Sequence, residues 1–302
     1  MERTDSKLIK LGILGYSDGN GHPYSWSAIF NGYNKKELSK SDYPNILEYL
    51  ELKKFPKAKL KNALVTHIWT QSKSRSISIA KSCYIDNICD KPEYMIGQVD
   101  AILLARDDSK NHLKIIKNFL QKGIPVYIDK PFATKISNSE KLLKLQLYDY
   151  QIYTCSALRY ANELIFTKNE IKSLGRISSI SAYSPKSWDK YAIHLIEPLS
   201  LLPGIDIFTY NNPVLKKRGK SVSVLLNLEN NIKLIITTLG DVKSDIKITI
   251  KGENKTISKK FNNPYDAFKK SLFYFLKQIK LKKNLIPRHQ TLSIVKIIEL
   301  AS

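Results

Sequence analysis

The chain has 302 residues, 43% of them hydrophobic, enough to bury a sizeable core over two domains, and its formal net charge is +22. No apolar run reaches membrane-spanning length, and residues 1–10 are too polar for a signal peptide. Its three cysteines (Cys83, Cys89, Cys155) lack zinc-type or CxxC spacing, so a reducing, cytoplasmic setting without structural metal is expected.

Residues 7–15, Lys-Leu-Ile-Lys-Leu-Gly-Ile-Leu-Gly, form a compact first strand that runs into a glycine-rich turn, Tyr16-Ser17-Asp18-Gly19-Asn20-Gly21-His22-Pro23. Glycines there let a backbone approach a pyrophosphate and expose amides of the following helix. The match to G-x-G-x-x-G is poor, because the second and third positions counted from Gly15 hold Ser17 and Asn20. A simple βαβ unit needs about thirty residues. The piece from Ala28 to Asn62, with a polar helix-like stretch around Ile46–Lys54, therefore enlarges the first crossover, as a flap near a ligand or an interface decoration.

Ala63–Thr70 is the next strand. Dinucleotide-binding folds often end it with an acid for the ribose hydroxyls. Here Thr70 and Gln71 stand in that place, followed by Lys73 and Arg75. The missing acid removes a repulsion against a 2′-phosphate; solvated basic residues are the simpler account. Val99–Ala105 is a buried strand, Ser109–Lys122 has helical periodicity closed by Gly123 and Pro125, and Val126–Ile128 is a strand that delivers Asp129-Lys130-Pro131. Strand, helix and strand at this spacing make a right-handed parallel crossover. Ligands sit at the carboxyl ends of such strands, where Lys130 would be an acid, a base or a charge clamp. Of the triplet Arg106-Asp107-Asp108, Arg106 suits a phosphate or sugar acid, and Asp108 suits the cap of the next helix.

From Thr134 the pattern changes. Ser139–Leu147 reads as a helix and Gln151–Ser156 as a strand; Ile177–Ser184, Ser221–Leu228, Ile232–Leu239 and Ile246–Lys251 alternate as strands, two of them joined by Asn230-Asn231. Asp189 is placed to cap a helix through His194 to Leu202, and Tyr265–Ile279 and Thr291–Leu300 are closing helices. The fold class is α/β: an N-terminal Rossmann-type parallel-sheet domain, then a C-terminal α+β domain with a mainly antiparallel open sheet.

Gly12-Ile13-Leu14-Gly15, the Val99–Leu104 strand, His112 in the helix after it, Gly123 and above all Asp129-Lys130-Pro131 resemble the Gfo/Idh/MocA oxidoreductases. That family's hallmark at the last place is Glu-Lys-Pro. The resemblance spans most of residues 7–133, then thins to Leu158-Arg159-Tyr160 and the helix carrying His194. It implies a dinucleotide-binding domain at 1–133, for NAD or NADP, and a substrate-binding and oligomerisation domain at 134–302. Sheets of this type pair face to face between subunits, so a homodimer is the first expectation.

The resemblance and the residues together place the cofactor at Gly12, Gly15, Ser17, Gly19, Thr70, Lys73, Ala105, Arg106, His112, Asp129 and Lys130. By resemblance Lys130 and His194 are catalytic, and the substrate meets Lys130, Arg159, Tyr160, Lys190, Tyr191 and His194. The chemistry is consistent: a histidine exchanges the hydroxyl proton near neutrality, a lysine stabilises charge on that oxygen, and the nicotinamide carries the hydride. Family members often have an aspartate four residues before the histidine. Here that residue is Lys190, and Glu197, three residues after His194, either orients the ring instead or makes a simple surface ion pair. The second domain is short for the family, and its sheet is expected to lack strands.

These features imply an NAD(P)-dependent oxidoreductase interconverting a hydroxyl and a ketone on a sugar, sugar nucleotide or cyclic polyol. The polar, aromatic segment Tyr183–Tyr191 suits stacking on a sugar. The alternative is a non-catalytic dinucleotide- or sugar-binding relative with a degraded glycine motif. Nucleic-acid binding rests on net charge alone and is not expected, since the lysines are scattered and the densest clusters, Lys216-Lys217-Arg218 and Lys282-Lys283, are short. Among the remaining histidines, His67 reads as a packed strand residue, His22 as lining a cofactor entrance beside Trp26, and His289 as a surface residue; no pair has metal-site spacing.

Overall fold

A computed structural model describes residues 8–302, so the polar start and Lys7 of the first expected strand lie outside the described residues. The chain divides into two units. The first runs up to Asp129 and adds Lys141–Thr154 and Leu272–Leu285; the second holds Lys130–Glu140, Cys155–Ser271 and Ile286–Ser302.

The first unit contains β1 (Ile9–Leu14), α1 (His22–Asn31), α2 (Lys35–Leu38), α3 (Pro44–Glu51), β2 (Ala63–Trp69), α4 (Lys73–Cys83) and β3 (Asn87–Ile88). It continues with β4 (Ala101–Leu104), α5 (His112–Gln121) and β5 (Val126–Ile128); α6 (Ile136–Leu143) begins in the second unit and ends in the first, which then adds β6 (Ile152–Tyr153). The strands lie in the order β3-β2-β1-β4-β5-β6, every pair parallel. Strand order reverses between β1 and β4, which makes the end of β1 the switch point of a doubly wound sheet. β4 and β5 are buried throughout, as a strand covered on both faces must be. α5 buries His112, Ile116, Phe119 and Leu120, the i, i+4, i+7, i+8 stripe of a helix lying on a sheet.

Two helices of this unit gave no apolar periodicity. α1 is buried from Pro23 to Asn31, so it has no polar face to alternate with; α4 is rich in serine and basic residues and buries only Ser76, Ile79, Ala80, Ser82 and Cys83. The strand expected over Gln151–Ser156 shortens to β6, because only Ile152 and Tyr153 pair with β5.

The second unit holds α7 (Lys168–Ser173), β7 (Ile177–Ser184), α8 (Trp188–Tyr191), α9 (Ile193–Leu199), β8 (Tyr210–Arg218), β9 (Ser221–Leu228), β10 (Lys233–Thr238), β11 (Lys247–Gly252) and β12 (Thr256–Lys260). α10 (Pro264–Leu281) passes into the first unit, and α11 (Arg288–Glu299) closes the chain. The sheet order is β12-β11-β7-β10-β9-β8, antiparallel except for β7 beside β10. Asn230 and Asn231 take left-handed backbone, with φ of 58° and 60°, between β9 and β10. The sheet has six strands. β8 and β12 escaped notice because they are edges: β8 is exposed from Asn211 to Arg218, is lysine-rich and contains Pro213, all marks of a guarded edge strand.

One face of this sheet is the core. Ile180, Val224, Leu226, Leu234, Ile236, Ile248 and Ile250 pack into one cluster with Leu195 and Ile196 of α9 and Ile297 and Ile298 of α11. Truncating a fully buried member leaves a cavity. Ile250→Ala is therefore expected to cost about 2–5 kcal/mol of unfolding free energy, measured by denaturant unfolding of the second unit's signal in the full chain.

Candidate functional site

The switch point is built from the turn after β1. Gly15 (φ 78°) and Gly19 (φ 77°) are both left-handed, a conformation that favours glycine. A side chain on Gly15 would overlap Cγ and Cδ of Arg106, whereas one on Gly19 would meet no described atom within 4 Å. Gly12 is glycine for packing, since a Cβ there would press on Met95 and Ile102.

The polar groups of this turn point inward to two buried acids. Ser17 Oγ donates to Asp107 Oδ1 at 2.6 Å and accepts from the Asp107 amide at 3.1 Å. Asn20 Nδ2 donates to Asp129 Oδ2 at 2.8 Å, and His22 Nδ1 bonds the same oxygen at 2.6 Å. Asp129 is 1% exposed. His22 stacks on Trp26, which stacks on Tyr127 of β5, so aromatic packing holds the ring against the carboxylate. Thr70 is buried after β2 and bonds Ser72 and Ser76.

Arg106 lies over Gly15 and pairs through Nε and Nη2 with Asp108. Burial pushes the Asp108 carboxyl up, but hydrogen bonds from Arg106 and Asn111 outweigh it and hold the carboxyl below its usual range. Asp108 thus binds side chains rather than capping the following helix with its carboxylate, which corrects the sequence expectation. His112, fully buried at the start of α5, bonds the Arg106 carbonyl through Nε2 at 2.9 Å, and Ala105 is buried beside them. Lys73 and Arg75 are engaged by Asp90 and Asp42.

The second unit gathers the other predicted residues. Lys130 is 5% exposed, and its Nζ lies 5.7 Å from the centre of the Tyr191 ring. His194, 8% exposed on α9, meets the same ring edge-on with centroids 4.9 Å apart. Ser156 Oγ and His194 Nδ1 share a hydrogen bond of 2.7 Å. Ser156 also donates its amide to Glu197 Oε1 at 3.3 Å, and Arg159 donates to Glu197 Oε2 and to Gln290 Oε1, both at 2.8 Å. Burial pushes the Glu197 carboxyl up against the pull of Arg159, while the Glu197 charge overcomes burial to raise Arg159.

Two expectations are corrected here. Glu197 does not orient His194 directly; Ser156 does, and Glu197 reaches it through Ser156. Asp189 sits inside the first turn of α8 with Ser187 at the cap position, and the expected single helix is broken between Tyr191 and Ile193. Tyr160 and Lys190 are half-buried, and His289 is exposed at the start of α11. His67 is half-buried in β2, bonded to Thr66, with its pKa lowered by burial and by Lys10. Ser156 carried no sequence signal, because only the fold brings the residue after β6 to α9. The cysteines are free thiols, and no metal-type cluster of three or more ligands occurs among the described residues.

Residues 49–148 match the model of an oxidoreductase family, GFO_IDH_MocA, with an NAD-binding Rossmann fold. That stretch of the chain matches the NAD-binding Rossmann fold of the Gfo/Idh/MocA oxidoreductases. Solved structures of similar shape include scyllo-inositol dehydrogenase from Lactobacillus casei with bound NAD(H) and scyllo-inositol, at 14% identity, covering 98% of this chain and 96% of that one, with a TM-score of 0.69. An oxidoreductase from Thermotoga maritima matches at 17% identity over 97% and 95%, with a TM-score of 0.71. A dehydrogenase from Clostridium difficile matches at 18% identity over 97% and 98%, with a TM-score of 0.66. No curated protein matches the sequence significantly. The Gfo/Idh/MocA match begins at residue 49, within α3, and so leaves out β1 and its unusual turn. No described helix is long and apolar enough to cross a membrane.

The buried Arg159–Glu197 pair supplies a test of the second unit. Arg159→Met strands a buried carboxylate, and the expected loss is about 3–5 kcal/mol. With Arg159 gone, burial is opposed only by the Ser156 amide, and the folded pKa of Glu197 then stands further above its ordinary 4.5. The folded variant keeps a proton that the unfolded chain releases, so its stability is fully present below pH 4.5 and is lost as pH rises through the raised folded value. Denaturant midpoints at acidic and neutral pH should therefore diverge more from wild type at neutral pH.

Proposed function

We propose that the protein is an NAD(P)-dependent oxidoreductase interconverting a hydroxyl and a ketone on a sugar-like substrate. The observation that carries this reading is the convergence of Lys130 and His194 on Tyr191. Lys130 stands two residues past the parallel strand β5, and Ser156 holds His194 at Nδ1, which fixes the ring for exchange of a substrate proton. In the oxidative direction His194 takes the hydroxyl proton while the Lys130 ammonium stabilises charge growing on that oxygen. Arg159 and Glu197 hold Ser156, and so the ring, in place. Tyr160 and Lys190 are assigned to the substrate with them.

The residues of the first unit fit a dinucleotide: the switch-point turn has open space at Gly19 and a guanidinium at Gly15. Gly12, Gly15, Ser17, Gly19 and Arg106 would hold its pyrophosphate side, with Thr70 and Lys73 toward the ribose, and Ala105, His112 and Asp129 shaping the strand ends. When bound, the nicotinamide supplies or accepts the hydride. The first unit is thus assigned to the cofactor and the second to the substrate and to self-association, in a cytoplasmic homodimer.

A second reading, a non-catalytic relative, is favoured by one specific feature. The first-turn donors of α1 are committed: the His22 amide to Asn20, and those of Tyr24 and Ser25 to Gly21, while Pro23 has none. A pyrophosphate would then find few helix amides. Titration with NADH and NADPH, followed by tryptophan quenching and energy transfer, decides between them. Micromolar binding that survives Lys130→Ala, with turnover on a sugar or polyol panel falling by about 10²-fold or more in Lys130→Ala and His194→Ala, is the expected result. No binding of either nucleotide overturns the dehydrogenase reading.

Self-association is assigned to the open face of the second sheet, where Tyr183, Ile235 and Thr237 line a shallow apolar depression. Ile235→Lys is expected to shift sedimentation velocity from dimer to monomer without loss of fold.

A further inference from the structure

The turn after β1 offers a diphosphate little of what a doubly wound fold usually supplies. Amides of the next helix ordinarily meet it, but the His22 amide is bonded to Asn20, those of Tyr24 and Ser25 to Gly21, and Pro23 has none. Ser17 and Asn20 stand where the glycine motif has its second and third glycines, and their side chains serve the buried carboxylates of Asp107 and Asp129. A doubly charged anion at this turn therefore needs a cation.

Arg106 supplies one. Its stem lies where a side chain on Gly15 would be, with Nε 3.6 Å from that Cβ position, so the bare backbone of Gly15 is what lets a guanidinium lie on the turn. The side chain is 11% exposed, and the Asp108 carboxylate holds it through Nε at 2.7 Å and Nη2 at 2.5 Å. A phosphate uses the same fork in the same bidentate way, so the two anions compete for it.

Asp108 is equally placed to let go. It stands at the N-cap position of the short helical turn Ser109–Asn111 that leads into α5, yet its side chain makes no cap bond there. Asn111 Nδ2 already donates to its Oδ2 at 2.5 Å. A released Asp108 keeps Asn111 and takes up the amides of that turn, the ordinary cap role of an aspartate. Against burial, which pushes it up, Arg106 and Asn111 hold the Asp108 carboxyl below its usual range, so it competes as a full charge at neutral pH.

We propose that Arg106 anchors the diphosphate of the nucleotide bound at this turn in place of helix amides, and that Asp108 is its internal competitor, which the diphosphate displaces from the guanidinium. This rests on the oxidoreductase reading for the identity of the ligand and adds a residue, Asp108, that sets how tightly the ligand is held.

The test is titration of the full chain at low salt with NADH and NADPH, followed by tryptophan quenching, and with ADP, followed by calorimetry. Wild type is compared with Asp108→Asn, Arg106→Gln and the double variant. Asparagine keeps the shape and an acceptor oxygen but removes the competing charge. Asp108→Asn is therefore expected to bind the nucleotides about tenfold tighter, and Arg106→Gln about tenfold or more weaker. In the Arg106→Gln background, Asp108→Asn should change affinity by less than about twofold, since nothing is left to compete for. An ion pair that is only structural would lower the melting temperature of both single variants and leave the affinities where they are. Unchanged or weaker binding in Asp108→Asn, unchanged or tighter binding in Arg106→Gln, or a gain that persists without Arg106 overturns the proposal. Failure of the dehydrogenase reading registers separately. ADP binding that follows Arg106 and Asp108, with no NADH or NADPH binding to any variant, keeps the proposal and overturns that reading; NADH binding indifferent to both residues does the reverse. No binding of any probe to wild type or Asp108→Asn overturns both.

Discussion

A carboxylate buried to 1% exposure at the end of β5 constrains the ligand-facing edge of the first unit. Asp129 cannot remain there unpaired, because an uncompensated charge away from water is costly. Asn20 and His22 meet that demand from the turn after β1. Their positions then determine the turn: Asn20 also accepts from the His22 amide, and the His22 ring is wedged against Trp26 and, through it, Tyr127. The glycines supply the backbone freedom, and the acid decides which way the side chains face.

The second unit solves a related problem with a chain of bonds. Arg159 and Glu197 are both buried, a pairing that adds little net stability but is costly to break. What it secures is position: Glu197 holds the Ser156 amide, and Ser156 holds Nδ1 of His194. A bond at Nδ1 fixes the tautomer and the orientation of the ring. Arg159, Glu197 and Gln290 thus act on the ring through Ser156, three residues contributed by segments far apart in the chain.

The likeness to solved dehydrogenases at 14–18% identity shows how little of a sequence a doubly wound sheet requires. Apolar strands buried on both faces, helices with one buried stripe and a reversal of strand order are enough to specify it. The enlarged crossover is accommodated without disturbing that order: Tyr43 and Ile46 crowd against Gly21, and the Tyr43 hydroxyl bonds that of Tyr16 at 2.7 Å. The insertion is therefore part of the turn's own packing.

The sequence by itself determined the two-part architecture and the place of Lys130. Strand alternation located β7 and β9 to the residue, and the Asp-Lys-Pro triplet after a buried run marked the end of β5. These signals are local, carried by period and by neighbouring residues. α1, α4 and the edge strands β8 and β12 were not legible, because a helix buried all round, a helix rich in serine and basic residues, and an exposed strand have no clear amphipathic period. Only the tertiary structure decided who holds whom. It gave Asp129 to His22, His194 to Ser156 rather than to Glu197, and Asp108 to Arg106. Most of these pairings join residues far apart in the chain, where burying a charge or a dipole favours finding it a partner.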